Sequence, residues 1–350
     1  MVSLRYNKPM NTPSLENTTP VIILAGFLGA GKTTLLNHLL RHNNGQQIGV
    51  IVNDFGEVNI DSLLVSKQTE NTMELSGGCI CCQLGDSDLE ESLSMFAHAG
   101  STTDVVIIEA SGIAEPVDLK KLILYSPNKN VRLGGVVYVI DAVNFAKTAQ
   151  QHPEICDHVR TSDLLVVNKT DIATETQLAD CLAQIHKLNP DAPIVRTAQG
   201  KLNPELLFDH AKKEAQQLTL GAAPSNEPHD HTHLHDSFTS VSFHSKKPLS
   251  PKHVQDMLAK LPTNIFRLKG VLYYGMKGFE QKVVLHKVGQ HLTQRAEEWH
   301  SHETPASDIV AIGVDLDKTA VQKLLQNCID PSPDNITPDD MIDIMRLKGF

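Results

Sequence analysis

Short apolar runs rich in β-branched residues recur along the first part of this chain. Val21–Ala25, Ile48–Asn53, Val105–Glu109, Val136–Asp141 and Leu164–Asn168 contain almost no polar interruption. A strand with one wet face alternates apolar and polar residues. An unbroken apolar run suits a strand buried on both faces, as in a parallel sheet covered by helices. Helical patterns fill the intervals and supply the crossovers, so the expected fold class is α/β with a doubly wound, mostly parallel sheet.

The pattern breaks at Gly221–Asp236, which carries Gly, Pro and closely spaced histidines and reads as a linker. Beyond it, Ser250-Pro251 is a helix start, with Ser as N-cap and Pro in the first helical position. Val254, Met257, Leu258 and Leu261 fall on one face of that helix. Strand-like runs at Ile265–Tyr274, Lys282–His286 and Ile309–Val314 precede a helix near Lys318–Cys328. The expected organisation is a flexible leader over 1–19, an α/β domain over 20–220, a histidine-rich linker over 221–236, a smaller C-terminal α+β domain over 237–330 and a loose tail over 331–350.

Composition narrows the function classes. The 350-residue chain has a net charge of −10. With no basic patch to offset that charge, neither nucleic acid nor an anionic membrane is expected as a partner. No apolar run approaches the ~18 residues that span a bilayer, and the first twenty or so residues lack an apolar signal core. A cytoplasmic protein is expected. Six cysteines are present, and Cys79, Cys81 and Cys82 cluster while Cys156, Cys181 and Cys328 stand alone. That clustering does not resemble a secreted disulfide framework.

Gly26-Phe-Leu-Gly29-Ala30-Gly31-Lys32-Thr33-Thr34 follows the first strand and opens a helical run, the context a P-loop requires. Its glycines let successive N–H groups face a phosphate, Lys32 brings a cation to the β/γ oxygens, and the Thr33 hydroxyl can ligate Mg²⁺. Asn168-Lys169-Thr-Asp171 closes a buried run at the carboxyl edge where such sheets bind ligands. The Asp171 carboxylate can accept from N1–H and N2–H₂ of guanine, a donor pair adenine lacks. Asn168 can bond the base from another side, and the Lys169 stem can cover its face. GTP is therefore the expected nucleotide.

Glu109, at the end of an apolar strand and followed by Ala110-Ser111-Gly112, is the acidic strand end expected near Mg²⁺, while Gly112 can offer its N–H to a γ-phosphate. The competing reading of Glu109 is a helix-start carboxylate. Asp54 is the alternative for the Mg²⁺ shell or for orienting the attacking water. Lys32, Thr33, Asp54 and Glu109 are thus the candidate catalytic residues.

Gly77-Gly78-Cys79-Ile80-Cys81-Cys82 is the second informative segment. Soft thiolates favour Zn²⁺, Cu(I) and similar ions, and Cys-x-Cys spacing lets two sulfurs face one ion. Three thiols leave a tetrahedral site one ligand short, and Glu57 could complete it. A redox thiol pair and plain packing are the competing readings. His229, His231, His233 and His235 alternate in the linker and can hold Zn²⁺ or Ni²⁺ loosely, or serve only as a solvated polar tract.

In this order (GFLGAGKTT, NDFGE, GGCICC, EASGIAEP, NKTD, then a small C-terminal domain) the motifs resemble the CobW family of metal-homeostasis GTPases, itself similar to the GTPases that mature hydrogenase and urease. The resemblance covers about residue 20 to residue 328. It implies a GTP-hydrolysing metallochaperone that carries Zn²⁺, with Co²⁺ or Ni²⁺ as alternatives, to an apo-metalloprotein client. It also implies that Cys79, Cys81 and Cys82 form the metal motif, with Cys81, Cys82 and Glu57 as chosen ligands. A homodimer is compatible with this reading. Ala110, where many members carry a hydroxyl residue, and Gln83-Leu84-Gly85 after the thiols depart from the family pattern. The rival functions are a P-loop small-molecule kinase and a zinc buffer or sensor with incidental hydrolysis.

Overall fold

The computed structural model describes residues 13–53, 72–75, 86–110, 115–208, 238–277, 279–301 and 303–330. The linker and the tail of the sequence reading lie outside these residues. Two compact units divide the chain: Thr19–Pro190 with Ile194–Ser237, and Met1–Thr18 with Asp191–Pro193 and Phe238–Phe350.

The first unit is built on strands β1 (Thr19–Gly26), β2 (Ile48–Asn53), β3 (Thr72–Leu75), β4 (Val105–Glu109), β5 (Val131–Asp141), β6 (Leu164–Asn168) and β7 (Ile194–Arg196). They form one seven-stranded sheet in the order β3-β2-β4-β1-β5-β6-β7. Every strand pair in it is parallel. The doubly wound α/β expectation holds. Helices α1 (Lys32–Arg41), α2 (Asp86–Phe96), α3 (Pro116–Leu124), α4 (Phe145–Gln151), α5 (Glu154–Thr161) and α6 (Glu175–Leu188) make the connections among the described residues. Burial explains the unbroken runs, because every residue of β1, β4 and β6 is buried. Helix α1 buries Leu35, Leu36, Leu39 and Leu40, each such side chain contributing about 1.5–3 kcal/mol of transfer free energy.

Strand order decides where the site can be. The chain leaves β1 and skips a neighbour to form β2, then returns through β4 to lie beside β1 before continuing through β5 to β7. Strand β1 is therefore the switch point of the sheet, and the crevice outside its carboxyl end is where such folds bind ligands. Leu24 pairs with Glu109, Gly26 with Val139 and Asp141 with Asn168, so Gly26, Glu109, Asp141 and Asn168 end at one edge.

The second unit is an antiparallel sheet of β8 (Phe238–Ser245), β9 (Ile265–Leu272), β10 (Lys282–Val288), β11 (His291–Glu297) and β12 (Ser307–Val314), in the order β11-β10-β9-β12-β8. Helices α7 (Pro251–Ala259) and α8 (Lys318–Gln326) contribute Val254, Met257, Val321 and Leu325 to one core with Phe243, Leu268, Leu285 and Ile309 of the sheet. Ser250 caps α7 by accepting from the His253 N–H, as the sequence suggests. Strands β8 and β11 escaped the sequence reading. Phe238–Ser245 alternates Val241 and Phe243 with Ser, Thr and His, and β11 is an edge strand of mostly half-buried polar residues.

Residues 13–18, within the expected leader, pack in the second unit. The Leu15 N–H donates to Oε1 of Glu297 at 2.6 Å, Ser14 Oγ donates to the other oxygen, and the Leu15 side chain is buried. Glu16 stands 3.6 Å from the buried Lys282 ammonium, whose nearer partner is Glu303 at 3.0 Å. Charge-assisted bonds to a buried carboxylate hold this segment in a way no local pattern in residues 1–19 announces.

Candidate functional site

The loop between β1 and α1 is shaped by glycine. Gly29 and Gly31 have φ of +76° and +104°, where a side chain is strained. A Cβ on Gly31 would lie 2.3 Å from Nδ2 of Asn168, so that position is closed to any other residue by a neighbour as well as by its backbone. Helix α1 begins without a side-chain cap and with no acidic residue in its first turn. Its first residue is instead Lys32, buried, with Nζ donating to the Gly26 carbonyl at 3.0 Å. The positive end of a helix attracts an anion, and backbone N–H groups in a turn of glycines can form a phosphate cradle beside the Lys32 ammonium.

Thr33 and Glu109 meet beside that loop. Oγ1 of Thr33 donates to Oε1 of Glu109 at 2.8 Å, and Glu109 is only 3% exposed. Hydroxyl and carboxylate oxygens are the hard donors Mg²⁺ prefers, and these two lie at the mouth of the phosphate loop. The donor set fits that ion.

Asn168 is the hub on the other side. Its Nδ2 donates to the Ala30 carbonyl at 2.9 Å and its Oδ1 accepts from the Gly200 N–H at 3.0 Å. The carboxamide thus ties the phosphate loop to the loop after β7, and it spends there one donor and one acceptor that the sequence reading offered to a base. Gly200 is itself demanding: φ is +66° and a Cβ would come within 2.7 Å of the Leu35 N, so this loop lies directly on the backbone of α1. Lys169 adopts φ +63° and its Nζ pairs with Oδ2 of Asp141 at 2.7 Å. Asp171, three residues after Asn168, is exposed.

Asp141 and Gly200 had no role in the sequence reading. Asp141 accepts from the Val143 N–H at 2.9 Å and from Asn144 Nδ2 at 3.0 Å as well as from Lys169. Burial alone would raise its pKa, but the bonds from Lys169, Asn144 and the Val143 amide together outweigh burial and hold the carboxyl below its ordinary value. Asp141 closes the run Val136–Asp141, and a carboxylate ending a buried strand was the available signal. A cleft of about 310 Å³ opens here, lined by Phe27, Leu28, Tyr138, Asp141, Phe145 and Lys169 among others.

Of the remaining sequence candidates, Asp54, Glu57, Cys79, Cys81, Cys82, Gly112, His229, His231, His233 and His235 lie outside the described residues. Among the described residues no group of three or more His, Cys, Asp or Glu side chains gathers as a metal centre. Cys181 and Cys328 are buried, and burial pushes both thiols up to about 12, which leaves them protonated and inert. No helix among these residues is long and apolar enough to cross a membrane.

Comparison with known proteins bears out the family resemblance. Residues 20–196 match the CobW/HypB/UreG nucleotide-binding domain, and residues 238–329 match the cobalamin synthesis protein CobW C-terminal domain. The chain is 29% identical over 348 residues to a protein of Pseudomonas aeruginosa named zinc chaperone CobW, covering 89% of this chain and 91% of that one. It is 27% identical over 317 residues to zinc chaperone YjiA of Escherichia coli, covering 87% and 97%. A protein of Dictyostelium discoideum named zinc-regulated GTPase metalloprotein activator 1 is 31% identical over 220 residues, covering 52% and 46%. The chain therefore belongs to the CobW/HypB/UreG family of P-loop GTPases.

Proposed function

We propose that this protein is a GTP-dependent zinc metallochaperone, which binds GTP at the edge of the parallel sheet and uses its hydrolysis to hand Zn²⁺ to an apo-metalloprotein client. The observation that carries the reading is the meeting of Lys32, Thr33, Glu109 and Asn168 around one phosphate loop, in a chain whose relatives bear the names zinc chaperone and zinc-regulated GTPase metalloprotein activator.

In this reading the loop N–H groups and the Lys32 ammonium bind the phosphates, and Asn168 keeps the loop in register with the base side of the site. Asp171 accepts from the guanine edge, and the Lys169 stem, held by Asp141, lies against the ring. Bound Mg²⁺ supplies charge neutralisation at the β- and γ-phosphates, and Thr33 and Glu109 would hold it and its water. A carboxylate, Glu109 or Asp54, orients the water that attacks the γ-phosphorus as the bond to the β–γ bridging oxygen breaks.

The cargo ligands are Cys81, Cys82 and Glu57, with Cys79 in the same motif. Zn²⁺ is the metal of choice for thiolates, and Co²⁺ or Ni²⁺ fit the same donors. In sequence, the segment from Asp54 through Cys82 lies between the phosphate loop and the acidic strand end at Glu109, the order in which γ-phosphate-sensing segments of such proteins occur. Nucleotide state and metal geometry would be linked there.

The test is to load the protein with Zn²⁺, start turnover with GTP·Mg²⁺ in the presence of a chromogenic chelator, and follow phosphate and zinc together. The reading expects zinc release in step with phosphate release, none with a non-hydrolysable analogue, and no turnover of ATP. Zinc release indifferent to nucleotide would favour a buffer or sensor, and turnover of ATP onto an added small-molecule acceptor would favour a kinase. Either result overturns the proposal.

A further inference from the structure

The helix that leaves the phosphate loop carries a pair of histidines at its far end that the GTPase reading does not use. His38 and His42 are one helical turn apart at the C-terminal end of α1, with ring centroids 4.3 Å apart and planes inclined by 31°. Such i, i+4 spacing puts two imidazoles on one face of a helix, where one ion can reach both.

The hydrogen bonds fix what each ring can offer. Nε2 of His38 is 3.1 Å from the Leu202 carbonyl oxygen, and Nδ1 of His42 is 2.9 Å from the His38 carbonyl oxygen. A carbonyl oxygen only accepts, so each of these nitrogens carries the proton and donates. In the neutral ring the other nitrogen, Nδ1 of His38 and Nε2 of His42, then holds a lone pair. An imidazole whose second nitrogen donates to a backbone carbonyl is the arrangement found behind metal-ligating histidines, because the bond fixes tautomer and ring orientation. Burial first, and then the His42 ring, hold the His38 imidazole below its ordinary range, with Lys201 and Arg41 adding less and the bond to Leu202 opposing them. The neutral, ligating form is thus the one present near neutral pH.

We infer that His38 and His42 form an auxiliary site for an imidazole-binding divalent cation of the Zn²⁺, Ni²⁺ or Cu²⁺ class, separate from the thiol motif and the histidine run of the linker. The carbonyl end of the α1 dipole favours a cation at this place. Arg41 and Lys201 oppose it, which rejects hard ions such as Mg²⁺ and Ca²⁺ that gain little from nitrogen ligands. Two protein ligands leave the other positions to water, so the site exchanges readily. The inference does not depend on the metallochaperone reading.

Site-specific protection tests it. The full-length protein is treated with diethyl pyrocarbonate, with and without Zn²⁺, and carbethoxylation of individual histidines is followed by peptide mass spectrometry. Zn²⁺ should slow modification of His42 at least about fivefold, and His38→Gln should remove that protection. The reciprocal variant, His42→Asn at the exposed end of the helix, should remove zinc protection of His38 while leaving the thermal midpoint and GTP binding unchanged. Simultaneous replacement of Cys79, Cys81 and Cys82 by Ser should leave the protection intact, whatever becomes of zinc transfer. An unchanged rate at His42 with Zn²⁺, or protection that survives either histidine substitution, would overturn the inference.

Discussion

The Asn168 carboxamide joins two loops that never meet in sequence, donating to the Ala30 carbonyl at 2.9 Å and accepting from the Gly200 N–H at 3.0 Å. Both bonds are buried, and the second places Gly200 against the backbone of α1. Asn168→Ala strands a buried acceptor at Ala30 and a buried donor at Gly200. The expected cost is about 1–3 kcal/mol of stability, with GTP affinity falling about tenfold or more as the loop loosens. Denaturant melts and fluorescent nucleotide titration measure the two effects.

Gly31→Ala should do greater harm to binding than to stability. The new Cβ lies 2.3 Å from Asn168 Nδ2 and the residue has φ +104°, so loop and hub must part. Gly200→Ala forces the same separation from the opposite side, through the Leu35 backbone. Nucleotide affinity reduced at least about tenfold in both variants, with circular dichroism unchanged, is the expected result.

Asp171→Asn exchanges an acceptor pair for one acceptor and one donor. Guanine then faces a donor with its own N–H groups, while xanthine, with a carbonyl at that edge, gains a partner. GTP affinity should fall about 10–100-fold, or ~1.4–2.8 kcal/mol, and xanthosine triphosphate should become the better ligand. Competition between the two nucleotides reads this directly, and unchanged preference for GTP would remove Asp171 from the base site.

Asp141 should contribute through Lys169. Its carboxyl is held below its ordinary value in the fold, so its contribution is complete above the unfolded carboxylate range of about 4 and is lost as pH falls through the lower, folded value. Asp141→Asn should weaken GTP binding severalfold at neutral pH and flatten the acid limb of nucleotide-dependent stabilisation. Thermal shift with and without GTP, from pH 3 to neutrality, tests this.

Glu297→Ala should release residues 13–18 without disturbing GTP binding. It removes the acceptor of the Leu15 N–H and of the Ser14 hydroxyl and exposes a buried leucine. Limited proteolysis near the N-terminus should accelerate, and the second unit should lose about 1–3 kcal/mol.

Much of this site was legible because phosphate chemistry constrains it locally. Gly26, Gly31, Lys32 and Thr33 lie in one short segment, and their types follow from tight turns, a cation and a hydroxyl. Buried strands such as Val105–Glu109 and Leu164–Asn168 announce themselves by lacking polar residues. The illegible parts depend on distant approach. Nothing local to Ala198-Gln199-Gly200 says that its glycine must lie against Leu35, and nothing in residues 13–18 points to a carboxylate 282 positions away. Edge strands β8 and β11 were missed for a related reason, since they bury too little to look apolar. The role read for Asn168 was local too, and its structural partners became visible only when Ala30 and Gly200 were placed beside it.

The central claim is that nucleotide state and metal affinity are linked, and the most direct measurement is the Zn²⁺ dissociation constant of the protein bound to a non-hydrolysable GTP analogue against that of the GDP form. A linkage of about 1–3 kcal/mol makes these constants differ about 5–150-fold, with the same factor returned in GTP affinity with and without Zn²⁺. Equal zinc affinity in the two nucleotide states would contradict the account.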